Sequence, residues 1–199
     1  MHRALYWLAA FTLCMCVTTA VPAQEQISNG GFEVLDTNGE PAPWILDGQG
    51  ITTTTSPVHA GFLAMQFSKV GSPATLTQTG IAAPWGHEFL IGFWLWDDTD
   101  LGVPEIGTKT FKVTFDGTEF DVGSGPSRQQ WTYYSFYAYG TGDPSASIVF
   151  EGQHDQSAWI LDDVSVFKTG EVVPEPALMQ LPVLLGLAGL GYWRRRRIA

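Results

Sequence analysis

The sequence predicts an all-β protein, a jelly-roll β-sandwich, and three observations carry that prediction. Glycine and proline, 22 and 12 of the 199 residues, punctuate the middle of the chain so closely that no helical period holds between them. Apolar residues alternate there with period two in several separate stretches. Turn signals such as Asp116-Gly117 fall between those stretches, so the strands are many and short. The two ends of the chain are apolar in a different way and are expected to be a signal peptide and a transmembrane helix.

The chain opens with His2 and Arg3, a short basic region, followed by a mostly apolar run from Ala4 to Thr19. Val21-Pro22-Ala23 supplies small or modest residues at −3 and −1, which predicts a signal peptide over 1–23 with cleavage after Ala23. Both cysteines, Cys14 and Cys16, lie inside it. Leu13 and Met15 are poor residues to precede a lipidated cysteine. The mature chain is therefore expected to carry no cysteine, which excludes disulfide staples, thiolate-bound metal and a thiol nucleophile.

Residues 24–169 are expected to form the sandwich, a length that can bury a core. In Phe89–Trp96, one face carries Phe89, Ile91, Phe93 and Leu95 and the other Trp94 and Trp96. Phe111, Val113 and Phe115 alternate with Lys112 and Thr114, and Asp116-Gly117 then turns the chain into Phe120 and Val122. Trp131–Tyr139 is another strand, with Tyr134, Phe136 and Ala138 inward and Tyr133, Tyr137 and Tyr139 outward. Ser147–Glu151 and Ala158–Phe167 complete the series. Lys168 to Glu171 reads as the start of a linker, and 170–176 holds Pro174-Glu175-Pro176.

From Ala177 to Trp193 the chain is almost wholly apolar, 17 residues without a charge, or about 26 Å of helix at ~1.5 Å per residue. That is a short but sufficient membrane span. Tyr192 and Trp193 stand where interfacial aromatics belong. Arg194, Arg195, Arg196 and Arg197, in the tail 194–199, are expected on the cytoplasmic side.

Pro174, Glu175 and Pro176, the apolar helix and the arginine cluster together resemble the PEP-CTERM sorting signal of bacterial surface proteins. The resemblance covers Val172 to Ala199. It implies an exported protein held in the inner membrane facing the periplasm. An exosortase-type enzyme would then process it near the Pro-Glu-Pro, in a bacterium that makes exopolysaccharide, for the cell surface or extracellular matrix. The three residues would be a recognition site for that partner and not catalytic residues of this chain.

Charge narrows the partners. Setting aside Arg3, the four terminal arginines and Glu175 leaves five basic and nineteen acidic residues, a formal charge of −14. Nucleic acid and anionic membrane surfaces call for basic patches and are excluded as partners of the domain. Neutral ligands and divalent cations suit it.

Asn29-Gly30-Gly31-Phe32-Glu33, Leu76-Thr77-Gln78 and Leu161-Asp162-Asp163-Val164-Ser165-Val166 resemble motifs of carbohydrate-binding jelly-roll modules, a likeness spanning about 27–167. It implies that the opening and closing motifs pair as first and last strands. It also implies a structural calcium between Glu33 and Asp162 or Asp163, of which strand alternation lets only one face the site. Without a cation these are solvated or turn-bonded carboxylates. Calcium is the only cofactor expected.

Outward aromatics are the stronger functional signal. Trp94, Trp96, Tyr133, Tyr137 and Tyr139 would form a platform on which the apolar faces of sugars stack, if their two strands are neighbours. A covering layer would instead make them core. Trp44, Trp85 and Trp159 read as packing residues, and Asp97-Asp98-Thr99-Asp100 as a solvated acidic loop. His59, His87 and His154 fall in no metal-binding repeat, and no nucleophile elbow or phosphate-cradling glycine loop occurs. A glycosidase needs only a carboxylate pair, which sequence does not exclude. The reading is a non-catalytic module for polysaccharide, with a structural matrix protein lacking a glycan ligand as the alternative.

Overall fold

A computed structural model describes residues 23–68, 71–104, 106–123 and 125–171. The expected signal peptide (save Ala23), Pro174-Glu175-Pro176, the apolar helix and Arg194–Arg197 lie outside the described residues.

Within them the chain is a two-sheet β-sandwich, as the alternation predicts. Its strands are β1 (Gln24–Glu25), β2 (Ile45–Asp47), β3 (Ile51–Thr54), β4 (Ala64–Ser68), β5 (Ala74–Ala83), β6 (His87–Asp97), β7 (Lys109–Phe115), β8 (Thr118–Asp121), β9 (Thr132–Tyr139), β10 (Asp143–His154) and β11 (Ala158–Glu171). One sheet runs β3-β4-β11-β6-β9, with β1 joining β11 on the side that β4 leaves; the other runs β2-β5-β10-β7-β8. Every strand pairing is antiparallel. Strands distant in sequence lie side by side, the crossing pattern of a jelly roll.

The core lies between the inward faces. Phe89, Ile91, Phe93 and Leu95 of β6 are fully buried, as are Phe111, Val113 and Phe115 of β7 and Phe150 of β10. Phe89 meets Phe115 at 5.1 Å between ring centroids, and Phe93 meets Phe150 edge-on at 5.5 Å. Each such ring contributes about 1.5–3 kcal/mol by leaving water, so these rows hold the two sheets together.

The β7–β8 hairpin turns as its sequence demands. Asp116 and Gly117 both take positive φ, 44° and 82°, the two-residue turn whose twist matches the strands it joins.

The bookend motifs meet, but not as paired strands. Gln24 and Glu25 are the residues that pair with β11, opposite Lys168 and Phe167. Asn29–Glu33 is a turn, in which the Asn29 side-chain amide donates to the carbonyls of Val34 and Ala42. Its contact with the closing motif is a single bond from the Val164 N–H to the Gly30 carbonyl, 2.9 Å. A side chain at Gly30 would collide with the Val164 carbonyl, which accounts for the glycine. Gln78, buried on β5, completes the link by exchanging two hydrogen bonds with the Ser28 backbone.

Three expectations are corrected. Lys168–Glu171 is not linker but strand, because β11 runs on opposite Phe89, Glu88 and His87. Trp44 and Trp159 are core, but Trp85, at the tip between β5 and β6, is 77 % exposed. Asp97 is not solvated. It is fully buried, with Lys109 Nζ at 2.6 Å and His154 Nε2 at 3.0 Å.

Candidate functional site

The aromatics singled out in the sequence share one surface, the outer face of the six-stranded sheet. β6 and β9 are antiparallel neighbours in unbroken register, with Trp94 opposite Tyr133, Gly92 opposite Ser135, Leu90 opposite Tyr137 and Glu88 opposite Tyr139. Inward Phe89 to Leu95 fill the core, so alternation turns Gly92, Trp94 and Trp96 outward.

They form two groups. Trp94 lies 5.3 Å from Tyr133, and Trp96 lies 5.7 Å from Trp131, the residue that leads into β9. Tyr137 and Tyr139 lie further along β9, beyond Ser135. All three outward tyrosines are accessible, at 47 %, 57 % and 57 % for Tyr133, Tyr137 and Tyr139, while Trp94, Trp96 and Trp131 are half-buried. Tyr133 leans over Gly92, where any side chain would strike its hydroxyl. A hydrogen bond to Glu88 raises the Tyr139 phenol above its ordinary range.

Trp94 is half-buried because His59 covers it. The imidazole stacks on the indole at 3.9 Å between centroids and 16° between planes, and Trp131 meets the same imidazole edge-on at 5.5 Å. Two consecutive aspartates of β11 hold His59 there. Asp162 Oδ2 accepts the backbone N–H of His59 and of Ala60, at 2.8 and 3.2 Å, and Asp163 Oδ2 lies 2.6 Å from His59 Nδ1.

Asp162 and Asp163 do not simply face opposite ways. Asp163 takes φ 46° in an irregularity of β11 between Asp162 and Ser165. Asp162 continues the outward row opposite Trp94 yet is wholly buried beneath the His59 segment. Burial pushes its carboxyl up, against the pull of the Ala60, His59 and Asp163 N–H groups.

Glu33 serves the same segment from the other side, its Oε1 accepting the N–H of Phe62 and Leu63 at 2.8 and 3.0 Å. Asp162, holding three N–H donors, has little left for a cation. Glu33 Oε2 and Asp163 Oδ1 carry no such bond, and both residues border the space a side chain at Gly31 would fill. No group of three or more His, Cys, Asp or Glu that could hold a metal converges among the described residues.

Asp97, Thr99 and His154 bring a carboxylate, a hydroxyl and an imidazole together. Asp97 and Thr99 both address His154 Nε2, while Nδ1 accepts the Ser157 N–H. A nucleophile relay needs acid and hydroxyl on opposite ring nitrogens. All three side chains are also buried, so the cluster braces the sandwich end.

Trp131 and His59 were absent from the sequence-based platform. Trp131 was legible, since it continues the odd-numbered series 133, 137, 139. His59 carried no local signal, because its partner Asp163 is 104 residues away.

No protein-family model matches the chain, and no curated protein matches it by sequence. Solved structures match its fold. A family 61 carbohydrate-binding module in complex with β-1,4-galactotriose is 21 % identical with a TM-score of 0.52, the match covering 73 % of this chain and 99 % of that one. The first family 22 xylan-binding module of Xyn10C from Paenibacillus barcinonensis is 15 % identical with a TM-score of 0.53, over 76 % and 99 %. A Stig cyclase from Fischerella sp. TAU, in complex with a substituted indole, is 16 % identical with a TM-score of 0.55, over 73 % and 97 %. This chain therefore has the fold of carbohydrate-binding modules, one that also occurs in a cyclase.

Proposed function

We propose that this chain is an exported surface or extracellular-matrix protein whose sandwich is a non-catalytic module for a neutral polysaccharide. The observation that carries this reading is the row of accessible tyrosines, Tyr133, Tyr137 and Tyr139, along one strand. At ~3.3 Å per residue the row is about 20 Å long, suited to a glycan chain more than to a single sugar. Ser135 within the row and Glu88 beside it, opposite Tyr139, offer polar partners for hydroxyls. The negative sign of Glu88, with the formal charge of −14, disfavours acidic glycans.

Export and anchoring belong to the same proposal and rest on sequence: a signal peptide over 1–23, Pro174-Glu175-Pro176 read by an exosortase-type enzyme, a membrane helix over 177–193 and Arg194–Arg197 on the cytoplasmic side. A structural calcium held by Glu33 Oε2 and Asp163 Oδ1, with backbone carbonyls and water, is also proposed. It predicts a higher melting temperature in calcium than in chelator.

The test is affinity electrophoresis of the full chain through gels holding neutral polysaccharides, with and without calcium. Retention on one polymer, lost in Tyr137→Ala, supports the module. Passage through every gel, neutral and acidic, sinks it and leaves the structural matrix protein. One observation favours that second reading: Trp94, beside the tyrosine row, is half-buried under His59 instead of open.

A further inference from the structure

Among the described residues β9 is the last strand of its sheet, and its outer edge differs from the other sheet edges. β1, β2, β3 and β8 are two, three, four and four residues long. β2 carries Asp47, and β8 carries Glu119 and Asp121. Shortness and charge are the usual protections against pairing with another chain. β9 has neither. It runs eight residues, Thr132–Tyr139, in unbroken register with β6, and residues 129–142 contain no charged side chain.

The backbone of that edge can be read directly. The Gly140 N–H donates to the His87 carbonyl, so the even-numbered residues of β9 form the hydrogen-bonded pairs with β6. The N–H and C=O groups of Tyr133, Ser135, Tyr137 and Tyr139 therefore point away from the sheet. No described residue bonds to them.

We propose that this edge pairs with the same edge of a second copy of the chain, as an antiparallel two-fold dimer that joins two six-stranded sheets. The sequence is complementary to itself in that arrangement. Centred on Phe136, Tyr133 falls opposite the partner's Tyr139 and Ser135 opposite the partner's Tyr137, so outward-pointing groups pair with outward-pointing groups. On the inner side Tyr134 falls opposite the partner's Ala138, a large residue against a small one. A symmetric pairing also uses up the edge and stops at two. Charge selects the surface as well. A domain of formal charge −14 repels its own copies, and an uncharged strand is where two can meet without placing carboxylates opposite each other. Association should therefore strengthen as salt rises. The dimer would lay two tyrosine rows side by side, but it does not depend on the glycan reading.

The experiment is sedimentation velocity of the full chain in non-ionic detergent, at low and high salt, with three variants. Ser135→Pro removes an outward N–H and no bond to β6, where an edge strand tolerates proline. Tyr137→Lys adds a guarding charge at an exposed position, and Thr52→Lys does so on the β3 edge as a control. The expected result is a dimer that tightens with salt, weakened at least about tenfold (about 1.4 kcal/mol) by either β9 variant and unchanged by the control. A monomeric wild-type chain would overturn the proposal. So would a dimer that survives both β9 variants, because the membrane tail or another face would then hold it. Assemblies larger than two would likewise count against a pairing that closes on itself. Tyr137→Lys decides the matter should Ser135→Pro fail to fold.

Discussion

His59 lies flat on Trp94, with their ring planes 16° apart, and its own ring is tethered to Asp163 at 2.6 Å. One loop residue thus covers the most central outward tryptophan of the sheet. Removing the imidazole should uncover that indole face. His59→Ala is expected to shift tryptophan emission to longer wavelength and to cost about 1 kcal/mol, the worth of a stacked pair plus one charge-assisted bond. Glycan retention should survive, because the accessible tyrosines do not depend on His59. An unchanged emission spectrum would mean that the indole stays covered by other groups.

Asp162 should matter more than Asp163, although the two are adjacent. Three N–H groups, of His59, Ala60 and Asp163, converge on its buried carboxylate. Asp162→Ala leaves them without an acceptor and should cost about 3 kcal/mol in denaturant unfolding. Asp163→Ala, losing one partly exposed partner of His59, should cost no more than about 1 kcal/mol. Equal losses would show that the two carboxylates act as one unit, such as a shared cation site.

Gly92 is the reason Tyr133 can lie across the sheet. A side chain there would strike the Tyr133 hydroxyl and come within 3.1 Å of Ser165 Oγ. Gly92→Ala should force the tyrosine ring upright while the φ of the strand stays ordinary. On a glycan-binding chain it should weaken retention several-fold, with Tyr137→Ala causing a loss of about tenfold. Retention that ignores both changes would remove β9 as the binding strand.

Much of this surface was legible in the sequence, for a physical reason. A strand buried on one face must alternate, so Phe89, Ile91, Phe93 and Leu95 identify Trp94 and Trp96 as outward without any partner being known. The Asp116-Gly117 turn was legible too, because few residue pairs accept two positive φ angles. What could not be read was whatever depends on a second segment. His59 reaches Trp94 only because Asp162 and Glu33 pin its loop from opposite ends of the chain. Asp97 looked like part of a solvated acidic run until Lys109 and His154 closed over it. Trp85 shows the converse, since proline and glycine neighbours marked a turn but not whether anything packs upon it.

The Asp97 cluster makes the pH dependence predictable. Burial alone would raise this carboxyl, but bonds from Lys109, Thr99 and His154 overcome it and hold the pKa at about 2, against an ordinary 3.8. A depressed carboxylate binds fewer protons in the folded chain than in the unfolded one. Its contribution is therefore fully present above about pH 4 and is lost as pH falls through about 2. The shift corresponds to on the order of 2 kcal/mol. Asp162 works in the opposite sense: its raised pKa makes the charged form a cost that acid relieves. Asp97→Asn should thus lower stability at neutral pH and flatten the acid limb below pH 4, read as unfolding free energy from pH 7 to 2. An acid limb as steep as that of the unaltered chain would assign acid unfolding to other carboxylates.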